Sequence, residues 1–224
     1  METHLRLFGP LHLAILIAVV MLGLGAAWIV RRKPSLETAV RWAFAMLAGG
    51  FGLSWYLLRY AVLGSPWRWN LPLEVCDVAL WTTTAALLWP RQRLLELGYY
   101  WGLAGASMAL LTPYLIAPVS SPLSITFLAG HGIIVAAVIF LLGAGRMRPS
   151  RDSWRFAFLL LNGLAVLDFV IDRWLGVNYM YLIRKPPITS LLNVMGPWPW
   201  YVFAADVLAA VFFLALQWPF RAAH

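Results

Sequence analysis

Apolar residues gather into seven long runs separated by short polar gaps. The runs are Phe8–Val30, Trp42–Leu63, Leu71–Trp89, Leu95–Leu115, Leu123–Gly143, Trp154–Leu175 and Pro197–Trp218. A helix needs about 20 mainly apolar residues to cross a bilayer. The pattern therefore predicts an all-α, polytopic transmembrane bundle of about seven helices, with residues 1–224 forming one domain. The gaps hold the Arg, Lys, Pro and Ser expected of short loops. No low-complexity segment, separate soluble domain or internal repeat is evident, so an inverted-repeat transporter gains no support.

Composition points the same way. Of the 224 residues, 62% are hydrophobic and 12% charged, against about 45–50% and about 25% in a soluble domain. So little polar surface cannot cover the apolar remainder in water, which makes lipid the natural solvent and a multi-pass place in the cell membrane the expected location. The thirteen Trp suit membrane–water interfaces. A net charge of +8 would suit nucleic acid, but the cations form short clusters between apolar runs and read as a topology signal.

With seven spans, one set of loops carries Arg31, Arg32, Lys33, Arg41, Arg91, Arg93, Arg146, Arg148, Arg151, Arg155 and Arg221. The other carries Arg6, Arg59, Arg68, Arg173, Arg184 and Lys185. The positive-inside rule then places the N-terminus outside and the C-terminus in the cytoplasm. The first run is long enough to span and lacks a small-residue cleavage site, so it is expected to stay. Cys76 is the single cysteine, which excludes an intramolecular disulfide.

Ionisable residues within spans are costly, at about 2.5–3.5 kcal/mol each at a helix centre, and mark functional sites by default. In the expected topology His12, Glu74, Cys76, Asp77, His131, Asp168 and Asp172 all lie toward the outer half of the membrane, whereas Asp206 lies nearer the middle. A polar cavity open to the outside would produce this pattern. Blander roles compete: a lone Cys packs well as a small residue, an intramembrane His can bond neighbouring helices, and Glu74 and Asp77 can sit wetted at the interface. The run Thr82, Thr83, Thr84 is expected to bond back to its own helix.

The start of the third span carries chemistry. Asn70 suits a helix cap, and Pro72 and Glu74 suit a first turn. Cys76 then lies one to two turns into the helix, near its positive end, which favours thiolate, while Glu74 and Asp77 oppose it. A His from another span can act as base to the thiol if the two meet. The segment from Asn178 to Pro187, with Tyr179, Tyr181, Arg184 and Lys185, suits the headgroup layer. Its two cations are candidates to hold a lipid phosphate, with an interfacial anchor as the alternative.

The strings LPLEVCD (Leu71–Asp77), YYWGLAGASMALLTP (Tyr99–Pro113), AGHG (Ala129–Gly132), NYMYLIRKP (Asn178–Pro186) and GPWPWY (Gly196–Tyr201) resemble, in content and order, the YwaF-type integral membrane proteins. A vertebrate relative in that group, transmembrane protein 164, is described as a phospholipid acyltransferase using a Cys and a His. The resemblance covers nearly the whole chain and implies Cys76 as nucleophile and His131 as base. The pattern has His or Gln where this chain has Glu74, which changes the charge beside the thiol.

The leading expectation is thus a membrane acyltransferase or lipid-remodelling thiol enzyme. Cys76 and His131 would be catalytic. His12, Asp77, Asn178, Tyr179, Tyr181, Arg184 and Lys185 would contact substrate, with Asn178 or Tyr179 stabilising an oxyanion. Membrane lipids are the expected partners, with no nucleic acid. The alternatives are a small-solute transporter or channel with an outward polar cavity, and a non-catalytic membrane partner protein. No cofactor is expected: the His, Cys and acids lack zinc-site spacing, and no Gly-rich phosphate loop precedes a helix.

Overall fold

The computed structural model describes residues 5–187 and 190–223, with side chains described as far as residue 220. The elements are α1 (Pro10–Arg32), α2 (Glu37–Leu63), α3 (Val75–Leu88), α4 (Gln92–Trp101), α5 (Ser107–Leu111), α6 (Pro122–Gly143), α7 (Ser153–Leu175) and α8 (Trp200–Gln217). A π-helical turn, Gly102–Ala106, joins α4 to α5, so the two form one continuous rod. Each of the seven apolar runs thus becomes one helical rod. Among the described residues α1, α6, α7 and the α8 segment are long and apolar enough to cross a membrane.

Helix ends follow local chemistry. Pro10 and Pro122 open α1 and α6, where a missing N–H costs nothing. The Ser121 side chain accepts from the Ser124 N–H and caps α6. Gly64 (φ 58°) and Gly176 (φ 68°) terminate α2 and α7 in the left-handed region, where a Cβ is costly.

The third rod departs from expectation. Its helix begins at Val75, so Asn70 and Pro72 lie before it. Tertiary bonds hold this segment off the helical path. The Leu71 N–H donates to the Tyr179 hydroxyl at 2.9 Å, and the Glu74 carboxylate is taken by the loop after α7. Asn70 instead donates from Nδ2 to the Ser65 carbonyl at 2.9 Å. Cys76 therefore sits in the first turn of α3 rather than one to two turns in.

The α6 helix is the axis of the bundle and is buried over most of its length, while α1, α7 and α8 present long apolar faces outward. Small residues allow the closest contacts, as in membrane helix packing generally. A Cβ on Gly23 would lie 2.7 Å from the Ala136 carbonyl oxygen, and one on Gly132 would lie 2.9 Å from Val19 Cγ2. At the end bearing the denser cations, Arg146 pairs with Glu37 at 2.8 Å, and Arg41 donates to the Leu87 carbonyl. Buried Glu96 accepts from Gln92, the Ser150 N–H and Arg93, which ties α4 to the loop before α7.

Candidate functional site

The end of the bundle where α1, α3 and α6 begin holds the first turns of α3, the first turns of α6 and the loop after α7. Cys76, Leu80 and Thr83 follow the i, i+4, i+7 spacing that places them on one stripe of α3. Leu80 packs between α2 and α6, its Cδ2 2.5 Å from a Cβ built on Gly52 and its Cδ1 3.9 Å from one built on Gly130, while Thr83 turns toward Gly98 of α4. Cys76 lies one turn before Leu80 on α3, and His131 follows Gly130 on α6. Both side chains are half-buried.

The hydrogen bonds of His131 define its tautomer. Nδ1 lies 2.7 Å from the Phe127 carbonyl oxygen. A carbonyl only accepts, so Nδ1 carries the proton and Nε2 of the neutral ring keeps its lone pair. Nε2 is buried and has no hydrogen-bond partner among the described residues. The ring rests on Phe127, with centroids 4.2 Å apart, which holds its orientation. The imidazole is thus held in one orientation, with Nε2 as its accepting nitrogen.

Asp77 lies about 100° around α3 from Cys76 and faces α2. Tyr56 of α2 stands beside Asp77 and Trp81 and within electrostatic reach of Cys76. Tyr56 was not visible as a site residue in the sequence, since a Tyr near a span end is ordinary interfacial chemistry.

The loop after α7 folds back over α3. The Met180 N–H donates to Glu74 Oε2 at 3.0 Å. The Tyr179 N–H donates to Asp172 Oδ1 at 2.8 Å, and the Tyr179 hydroxyl donates to the Arg68 carbonyl at 2.8 Å while accepting from Leu71. Met180 and Tyr181 hold φ values of 50° and 56°, a left-handed conformation costly for residues with side chains. Tyr181 comes within electrostatic reach of Glu74 and Cys76. Its carbonyl accepts from the Tyr201 hydroxyl at 2.6 Å.

The other expected substrate contacts divide. Both polar ends of Asn178 are spent on its own loop, donating to the Arg184 carbonyl and accepting from the Ile183 and Arg184 N–H groups. Tyr179 has its hydroxyl engaged on both sides. The Tyr179 hydroxyl has no hydrogen left for an oxyanion, while Asn178 Nδ2 spends one of its two hydrogens on the Arg184 carbonyl. His12 is fully buried; its Nδ1 accepts from the Phe8 N–H at 2.8 Å and its Nε2 donates to the Leu110 carbonyl at 2.7 Å. It clamps α1 to α5 and has no ring nitrogen left for a ligand. Arg184 is exposed, and Lys185 lies over the Tyr201 ring. Of the Thr run, Thr84 bonds back to the Leu80 carbonyl. The paired acids Asp168 and Asp172 are buried one turn apart on α7.

A cavity of about 600 Å³ lies on the other side of α3. Val75, Gly105, Leu161, Phe169, Tyr181, Trp198 and Phe212 are among the residues that line it, between the α4–α5 rod, α7 and α8. Val75 lines this cavity, whereas Cys76, the next residue, does not. Its lining is apolar apart from a few groups, chief among them Asn162 and Asp206, joined at 3.1 Å. Asn162 sits mid-run in the sixth apolar stretch, where a lone amide among apolar residues is a signal legible in the sequence. No group of three or more His, Cys, Asp or Glu residues able to hold a metal occurs among the described residues.

A model of the TMEM164 family matches residues 7–217. The chain is also 28% identical over 217 residues to an uncharacterized protein of Treponema pallidum (strain Nichols), covering 96% of this chain and 89% of the relative. No solved structure matches. With the match running from before the first helix to the end of the last, the chain belongs to the TMEM164 family.

Proposed function

We propose that this membrane protein is a thiol-dependent acyltransferase acting on phospholipid acyl chains, with Cys76 as nucleophile and His131 as general base. The observation that carries the reading is the buried Nε2 of His131, which keeps its lone pair without a hydrogen-bond partner among the described residues, on a helix that packs against α3. The YwaF-type motifs around both residues support the same assignment.

The chemistry runs in two balanced halves. His131 Nε2 takes the proton of Cys76 Sγ, and the thiolate attacks an ester carbonyl carbon. A C–S bond forms, the ester C–O bond breaks, and the leaving alkoxide takes the proton from Nε2. The resulting thioester is then attacked by a lipid hydroxyl whose proton passes to Nε2. The C–S bond breaks and the thiol is restored. In this reading the strained Tyr179–Tyr181 loop closes the site toward the headgroups. Exposed Arg184 is placed to meet lipid phosphate, and the site opens to the outer leaflet. A large apolar cavity in the bundle suits a lipid-active protein better than a carrier of hydrated solutes.

The test is acyl exchange between labelled phosphatidylcholine and a lysolipid in proteoliposomes. Wild-type protein is expected to transfer label, and Cys76→Ala is expected to abolish transfer while keeping the fold. Full transfer by Cys76→Ala would end the proposal.

A further inference from the structure

We propose that the cavity between the α4–α5 rod, α7 and α8 is a second ligand site, binding a membrane-dissolved long-chain amine with Asp206 as its counter-ion. This goes beyond the thiol chemistry: Cys76 and His131 do not line the cavity.

Asn162 Nδ2 spends its two hydrogens on the Phe158 carbonyl and on Asp206 Oδ1, each at 3.1 Å. Among the described residues Asn162 Oδ1 and Asp206 Oδ2 have no hydrogen-bond partner, and Asp206 has no ion pair. The Asn162–Asp206 pair therefore offers acceptors only, one of them on a carboxylate, so a complementary ligand brings a donor there. Charge selects among donors. A carboxylate surrounded by Leu161, Phe169 and Phe203 is stabilised by a cation far more than by a neutral hydroxyl, and the protein supplies only the neutral Asn162 amide.

The entrance defines the rest of the ligand. Val166 and Val170 on α7 and Phe203 on α8 all line the cavity, yet each is more than half exposed on the outer surface of the bundle. The cavity thus opens sideways between α7 and α8, toward lipid. A molecule entering by that route is dissolved in the bilayer and carries an apolar body to match the lining. A plain acyl chain would fill the space and leave Asp206 unmatched.

Radiolabelled dodecylamine and dodecanol, equal in chain length, are tested for binding to the full-length protein in phosphatidylcholine nanodiscs, with empty nanodiscs subtracted. Wild type is expected to bind the amine at least about tenfold more tightly than the alcohol. Asp206→Asn, which keeps the shape and the Asn162 contact, is expected to remove that preference while alcohol binding persists as proof of an intact cavity. Equal affinity of wild type for both probes would overturn the proposal. So would an amine preference retained by Asp206→Asn, or amine uptake no greater than in empty nanodiscs. Should Asp206→Asn fail to fold, Leu161→Trp fills the same cavity from an apolar position and is expected to exclude both probes; unchanged amine binding by it would equally overturn the proposal.

Discussion

The backbone N–H of Met180 donates to Oε2 of Glu74 at 3.0 Å, joining two residues 106 positions apart. This bond pins the left-handed turn of the α7–α8 loop to the residue just before α3, two residues from Cys76. Leaving the Met180 N–H without its acceptor costs about 1–3 kcal/mol. Glu74→Ala is therefore expected to lower stability by about 2 kcal/mol, whereas Glu74→Gln retains the acceptor and most of that contribution. Thermal unfolding in detergent, followed with limited proteolysis at the 179–187 loop, checks both. Equal behaviour of the two variants would show that the bond does not hold the loop.

His12 is expected to act on stability and not on chemistry. His12→Phe keeps a ring in the space but leaves the Leu110 carbonyl and the Phe8 N–H without partners. Each such orphan costs about 1–3 kcal/mol, so a clear fall in melting temperature is expected. The rate of Cys76 modification per folded molecule is expected to stay the same. A variant of normal stability with altered lipid affinity would restore His12 as a substrate contact.

The α1–α6 contact sets up a sharp contrast between two glycines of one helix. A Cβ on Gly23 would meet the Ala136 carbonyl oxygen and Ile139 Cβ, both at 2.7 Å, while a Cβ on Gly25 meets nothing within 4 Å. Gly23→Val is expected to cost about 3 kcal/mol or more through overpacking. Gly25→Ala is expected to be neutral or stabilising by up to about 1 kcal/mol through helix propensity. Yield of folded protein and melting temperature read out the difference.

Much of the architecture was legible in the sequence because membrane helices obey a strong rule. Every backbone polar group must be satisfied within its own segment, so long apolar runs become rods. All seven runs did so. The rule fails where tertiary bonds compete with the helix. Asn70 and Pro72 carried good initiation signals, yet Tyr179 and Met180, more than 100 residues away, draw Leu71 and Glu74 off the helical path. The α4–α5 rod hid its π-helical turn for the same reason: Gly98, Gly102 and Gly105 let α3 and α6 approach closely, and no local pattern announces that contact. Site residues followed a similar division. Cys76 and His131 stood out because thiol and imidazole are scarce in spans. The occupied state of His12, Asn178 and Tyr179 depends on partners in other segments. The Asn162–Asp206 pair needed two helices to be placed side by side before it had meaning.

The central claim concerns one bond, an acyl thioester on Cys76, and mass spectrometry can detect it directly. Protein is incubated in liposomes with a phospholipid bearing one heavy-isotope acyl chain, quenched in acid and digested. The account predicts a heavy acyl group on the Cys76 peptide that neutral hydroxylamine removes, and its formation is at least about a hundredfold slower in His131→Ala, within the range typical for loss of a general base. A Cys76 peptide that stays unmodified while the protein transfers acyl chains, or acylation that proceeds equally fast without His131, would contradict it.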